Sequence, residues 1–139
     1  MTRYLAALGY GNQDISGGLD RFWLTSSLLI SPNEQVQFLS RLYRRQLPFG
    51  KRVTEIVERI LVLEERDGVV LSGKTGSGIF DDGRRLGWFV GHLQSAGGEW
   101  VFALTIRGER EDAWGPKARE IYEALLTLQG LWPAESSIR

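Results

Sequence analysis

The sequence predicts an α+β fold: an antiparallel sheet of about three strands, flanking helices and a C-terminal helix. Three observations predict it. A capping sequence at Ser31 opens a stretch with apolar residues at helical spacing. After Gly68 the apolar residues fall into short β-branched and aromatic runs separated by glycines. After Pro116 helical spacing returns. Helices, then strands, then a helix is the segregated order of an α+β chain and not the alternation of βαβ units.

The elements follow in order. Residues 10–18 hold Gly11, Asn12, Asp14, Ser16, Gly17 and Gly18, a density of turn-formers that reads as an ordered loop. Phe22-Trp23-Leu24 is an apolar cluster inside that loop region, of the kind that anchors a loop. Ser31-Pro32-Asn33-Glu34 is a capping box with proline at the first helical position, and Val36, Phe38, Leu39, Leu42 and Tyr43 continue it, so a helix is expected over 32–46, before Pro48. A shorter helix should carry Val53, Ile56, Val57, Ile60 and Leu61 on one face and Glu55, Glu58 and Arg59 on the other.

Beyond Asp67-Gly68 the period becomes extended. Val69-Val70-Leu71 starts one strand, with others expected over 86–93 and 100–106 and a hairpin connection at Gly97-Gly98. Pro116 can open the last helix, whose Ala118, Ile121, Leu125 and Leu128 form a stripe ended by Gly130 and Pro133.

Composition narrows the function. The 17 Lys and Arg balance the 17 Asp and Glu, so no net field draws the chain to nucleic acid or an anionic membrane. There is no cysteine, hence no disulfide or thiol chemistry. With His92 the only histidine and no Cys/His or carboxylate cluster, no metal site is expected, and nothing implies a cofactor. The apolar residues within 1–9 are too few to span a membrane, and they do not form an export signal. A length of 139 residues suits one domain.

Lys74-Thr75-Gly76, at the end of the first strand and followed by Ser77, is the most specific feature. Strand alternation puts Lys74 and Gly76 on one face and Thr75 on the other, and a glycine there lets a ligand approach the backbone. Alone, the tripeptide reads equally as a solvated strand end. It is preceded by Tyr10-Gly11-Asn12 and Phe22-Trp23-Leu24, and followed by Gly87-Trp88-Phe89-Val90-Gly91. In that order these resemble the Tyr-Gly-Asn motif, loop tryptophan, Lys-Thr-Gly strand and Trp-Phe-Val-Gly strand of class D (oxacillinase-type) serine β-lactamases and the related penicillin-binding transpeptidases. The resemblance spans most of the chain and corresponds to the C-terminal half of such a protein. It implies a β-lactamase/transpeptidase-like fold, with 1–139 as a single partial domain.

The resemblance also implies roles. Lys74 would supply positive charge near the nucleophile and the substrate carboxylate, and Thr75 a hydrogen bond there, with Gly76 beside the ligand. The backbone N–H of Ser77 would be half of an oxyanion hole, pre-aimed at developing charge. Arg119 would grip the substrate carboxylate with its planar fork, Lys117 being the fallback if the spacing slips by a residue or two. Trp23 would either donate its indole N–H to a carboxylated lysine acting as general base or simply anchor its loop, with Leu24 packing beside it. Tyr10, Gly11 and Asn12 form the motif turn, which Asn12 is expected to hold. Trp88 is expected to pack, and His92, standing where relatives usually carry tryptophan, is given no catalytic role.

The departures matter as much. No serine in the chain is followed three residues later by lysine, and Ser-x-Val is absent too. The resemblance places both N-terminal to Met1. Losing the nucleophile of a serine hydrolase costs about a million-fold in kcat. The expected function is therefore that of a class D β-lactamase-like protein whose family binds and hydrolyses β-lactams, itself inactive as it stands. The alternatives are a penicillin-sensing domain of a signal-transducing receptor, or a non-catalytic module that pairs with a chain supplying the missing half. The ligand would be a β-lactam or a peptidoglycan-like small molecule, and the location periplasmic or extracellular. The family sheet is completed by N-terminal strands, so 100–106 and the last helix should show an open edge and exposed apolar surface.

Overall fold

The computed structural model describes residues 1–18, 20–80 except Ser26, 82–109 and 112–133, and of Leu24 and Thr25 the backbone only. Two short helices come first, α1 (Thr2–Leu8) and α2 (Phe22–Thr25), neither of which the sequence announces. Helix α3 (Pro32–Tyr43) opens on the expected capping box: Ser31 Oγ accepts from the Glu34 amide at 3.3 Å, and Glu34 accepts from the Ser31 amide at 2.8 Å. It stops three residues before the expected end because Arg45 turns left-handed, at φ 57°.

Helix α4 (Lys51–Leu61) forms where expected, but its apolar face is turned outward. Val53, Ile56 and Ile60 are exposed, and the residue it buries is Thr54.

Four strands follow where about three are expected: β1 (Val62–Arg66), β2 (Val69–Ile79), β3 (Arg85–Ser95) and β4 (Gly98–Gly108). All pair antiparallel in the order β1-β2-β3-β4. The additional strand β1 is tied to β2 by Asp67-Gly68, whose φ angles of 48° and 75° are those of a tight hairpin turn. The β3–β4 register runs without a break from Arg85↔Gly108 to Ser95↔Gly98, so that hairpin closes at Ala96-Gly97.

The final helix, α5 (Gly115–Leu128), covers one face of the sheet. Ala118 and Leu126 are buried there with Leu71, Phe89, Leu93, Phe102 and Trp132. Tyr122 stacks on Phe102 with ring centroids 3.8 Å apart. The buried stripe is thus Ala118, Tyr122 and Leu126, rotated by about one residue from the expected one; Leu125 and Leu128 are exposed. The opposite face carries α3, whose Leu39 and Leu42 join Leu47, Val90 and Val101. Among the described residues no helix is long and apolar enough to cross a membrane.

Candidate functional site

Strand β2 positions the candidate site. Its pairing with β1 ends at Ser72, while its pairing with β3 continues to Ile79. From Gly73 onward one edge of β2 has no strand beside it among the described residues. In an antiparallel strand every second residue directs its amide and carbonyl away from the neighbour, so this edge offers backbone hydrogen-bonding groups to a ligand. Lys74, Thr75, Gly76 and Ser77 lie along it.

Alternation divides their side chains as the sequence suggests. Lys74 stands opposite Val90, on the face that carries α3, and Gly76 opposite Trp88 on the same face. Thr75 stands opposite Phe89, on the face of α5. Lys74 is exposed, and its ammonium donates to the Thr75 carbonyl at 2.8 Å.

The N-terminus of α5 is seated on this strand. The Gly115 amide donates to Ser77 Oγ at 2.9 Å, which satisfies one of the orphan donors of the helix start. A Cβ on Gly115 would lie 2.7 Å from the Gly76 carbonyl oxygen and 2.9 Å from Thr75 Cβ, so only glycine permits this contact. Sequence reasoning missed this role of Gly115 and of the Ser77 side chain. The signal was the Trp114-Gly115-Pro116 sequence at a helix start.

Arg119 is not brought to Lys74. The position before it, Ala118, faces the sheet, and one step of about 100° round the helix turns Arg119 toward β1. There its guanidinium meets Glu123 at 2.6 Å and Glu64 at 3.6 Å. Lys117 stands in the first turn, two residues beyond the Gly115–Ser77 contact, and its ammonium lies 2.6 Å from Glu120.

Helix α2 lies against β2 and carries Trp23, which is exposed and meets Phe22 edge-on at 4.8 Å. The Leu24 side chain falls outside the described residues.

The Tyr10-Gly11-Asn12 turn clasps the loop. Asn12 donates to the Ser27 carbonyl at 2.7 Å and accepts from the amides of Leu29 at 2.9 Å and Asp14 at 3.2 Å. Gly11, at φ 53°, comes so close to Leu29 that a Cβ would sit 2.1 Å from its carbonyl oxygen. Tyr10 donates to Gln35 at 2.9 Å and packs edge-on to Phe38, and its burial holds the phenol above its ordinary pKa. These residues fix the loop to α3.

His92 shares the Lys74 face and stands opposite Ser72, two residues along β2 from Lys74 on the side away from Gly76. It is buried and stacked on Tyr43 at 3.9 Å, and its Nε2 stands 3.7 Å from the Glu99 carboxylate. Burial holds it below its ordinary pKa, against the opposing pull of Glu99 and Glu58. A cavity of about 490 Å³ opens beside it between Tyr43, Glu58, Ser72 and Glu99. Among the described residues no group of three or more His, Asp or Glu could hold a metal ion.

An antiparallel meander with a terminal helix on one face, helices on the other and Lys-Thr-Gly on an inner strand is the architecture of serine β-lactamases and penicillin-binding transpeptidases. Comparison with known proteins agrees. Residues 1–127 match the penicillin binding protein transpeptidase domain, and the chain belongs to that family. It is 47% identical over 131 residues to the probable β-lactamase YbxI of Bacillus subtilis, covering 94% of this chain and 46% of that protein. It is 39% identical over 136 residues to the regulatory protein BlaR1 of Bacillus licheniformis, covering 98% of this chain and 22% of that one.

Among solved structures, a class D β-lactamase from Bacillus subtilis superposes with a TM-score of 0.84 at 43% identity, over 96% of this chain and 54% of that one. The C-terminal domain of the Bacillus licheniformis BlaR penicillin-receptor gives 0.88 at 39% identity, over 95% and 53%. The chain therefore spans about half the length of these structures and of YbxI, and less of BlaR1.

Proposed function

We propose that this chain supplies the Lys-Thr-Gly half of a β-lactam-binding serine site of the class D type and that alone it does not hydrolyse the lactam. The observation that carries the reading is the uncovered edge of β2 beside Lys74, with α5 seated against the same strand. Lys74 places a cation beside that edge, with no carboxylate partner among the described residues. Thr75 offers a hydroxyl, Gly76 leaves the backbone open to a close ligand, and the Ser77 amide is the half oxyanion hole. Lys117, in the first turn of α5 two residues beyond the Gly115–Ser77 contact, is the better candidate than Arg119 for the ligand carboxylate, because Arg119 lies further along the helix and is held by two glutamates where Lys117 has one, Glu120. Trp23, exposed on α2, which lies against β2, is the candidate for the loop tryptophan of such sites. The nucleophilic serine and its lysine base come from outside these 139 residues.

Fluorescent penicillin and amide-resolved NMR test this reading. Incubation with the drug should leave no covalent adduct, while millimolar benzylpenicillin should shift the amides of 74–77, and Lys74→Ala should abolish that shift. A stable acyl adduct on this chain, or shifts confined to another surface, would sink the proposal.

A second reading is favoured by the BlaR receptor domain, which superposes at least as well as the enzymes. In that reading the completed site is acylated and turns over slowly. Supplying the Ser-x-x-Lys segment in cis separates the two: rapid hydrolysis makes the protein an enzyme, and a long-lived acyl adduct makes it a sensor. Both readings place the protein outside the cytoplasm, where these drugs act.

A further inference from the structure

His92 lies inside the sheet, paired on both sides, to Ser72 of β2 and to Val101 of β4. Only 7% of its side chain is exposed, and its Nε2 has no hydrogen-bond partner among the described residues. A buried ring nitrogen of this kind carries a desolvation cost, and native structures satisfy such atoms with protein, water or ligand. The group that Nε2 faces is the Glu99 carboxylate, 3.7 Å away and too far for a direct bond. A single donor about 2.9 Å from each atom would bridge them.

The cavity of about 490 Å³ beside His92 tells which donor fits. It is bordered by the carboxylates of Glu55, Glu58 and Glu99 and by the guanidiniums of Arg45 and Arg59. Arg45 is taken up by Glu55 at 3.7 Å and Glu58 at 3.3 Å. Glu99 has, among the described residues, no cationic partner apart from His92, and burial holds that ring toward its neutral form. The balance is a negative charge beside an acceptor nitrogen, which calls for a cation with N–H donors. The remaining wall is largely apolar: the Tyr43 ring, stacked on His92 at 3.9 Å, with Val62 and Val70. A charged head that donates three hydrogen bonds and an apolar stem that covers such a wall are the two parts of a primary alkylammonium.

We infer that this cavity binds a primary alkylammonium, its head held between His92 Nε2 and the Glu99 carboxylate and its stem lying against Val62, Val70 and Tyr43. The walls come from α3, the segment that leads from it into α4, and the paired strands β1 to β4. The site is separate from the uncovered edge of β2, which begins at Gly73, and is independent of any β-lactam binding.

NMR titration with n-butylammonium tests it, with tetramethylammonium, which has the same charge and no N–H, as the control. His92 is the only histidine, so its ring protons report on the site without ambiguity. Millimolar n-butylammonium should shift those signals and the Ser72 amide to saturation, and tetramethylammonium should leave both in place. Because the head binds the neutral ring, saturation should lower the apparent pKa of His92, and binding should weaken as pH falls through it. Glu99→Gln, at an exposed position, should leave the rest of the amide spectrum unchanged and weaken binding about tenfold. His92→Phe, followed at the Ser72 amide, should weaken it likewise. No shift at His92, equal shifts from tetramethylammonium, or full affinity in Glu99→Gln overturns the proposal. Nα-acetyl-lysine methylamide should bind too, and the order of the two affinities names the source: tighter binding than n-butylammonium assigns the site to a lysine of another polypeptide, weaker binding to a free amine.

Discussion

Gly115 leaves no room for a side chain, and that makes it a sensitive probe of how α5 meets the candidate site. Gly115→Ala would drive a methyl into the Gly76 carbonyl and Thr75, costing about 1–3 kcal/mol by urea denaturation, and should disturb the amides of 75–77 first. The role was hidden because one glycine before a proline reads equally as a loop residue. The place and facing of Lys74, Thr75 and Ser77 along β2 were legible because a tripeptide on a strand carries its own alternation. The ion pairs of Arg119 with Glu64 and Glu123 were not legible, since the direction of a helical residue changes by about 100° with each step along the chain. Lys117→Ala should therefore weaken the penicillin-induced amide shifts, and Arg119→Ala should leave them unchanged.

His92 gives a pH dependence at the same scale. Its folded pKa is below the unfolded value of about 6.5 because the imidazole is buried against Tyr43. As pH falls below that value the unfolded chain takes up the proton first, so stability declines and then levels once the folded histidine is also protonated. The midpoint of urea unfolding should be lower at pH 5.5 than at 7.5. As His92 is the only histidine, His92→Phe should flatten that interval. A slope unchanged by the substitution would assign the effect to other groups.

At the scale of elements, the strongest local chemistry was the most readable. The capping box of α3 joins Ser31 and Glu34 reciprocally, and Ser31→Ala should cost about 1 kcal/mol, seen as earlier thermal loss of helical circular dichroism. Strand β1 was missed because Glu64-Glu65-Arg66 looks like a polar connection. The turn that makes it a strand, Asp67-Gly68, was visible but was read as a boundary. The stripe of α5 was placed about one residue off because Tyr122, with a polar tip, was not counted as apolar although its ring stacks on Phe102. For α4 the pattern announced a helix correctly, yet periodicity cannot say whether the apolar face is covered within the chain.

For the whole molecule, that uncovered surface is the dominant property. Ile60, Leu128 and their neighbours leave apolar area on both α4 and α5, and the sequence pI of about 6.6 removes net charge near neutrality. Solubility should be lowest near that pH and higher at pH 8.5, and Ile60→Lys should raise it without shifting the unfolding midpoint by more than about 0.5 kcal/mol. Measured saturation concentrations at the two pH values check both.

The sheet order has a kinetic side. Each strand pairs with the strand next to it in sequence, so every rung from β1 to β4 is closed by a hairpin and none waits for a distant segment. Such a meander has low contact order for a β structure and pays little loop-closure entropy at any step. The four strands should zip in succession, on a faster timescale than sheets that need long crossovers. Strands Val62–Gly108 would thus stand as a preassembled platform onto which the slower, loop-held Tyr10–Ser31 region and α5 are docked.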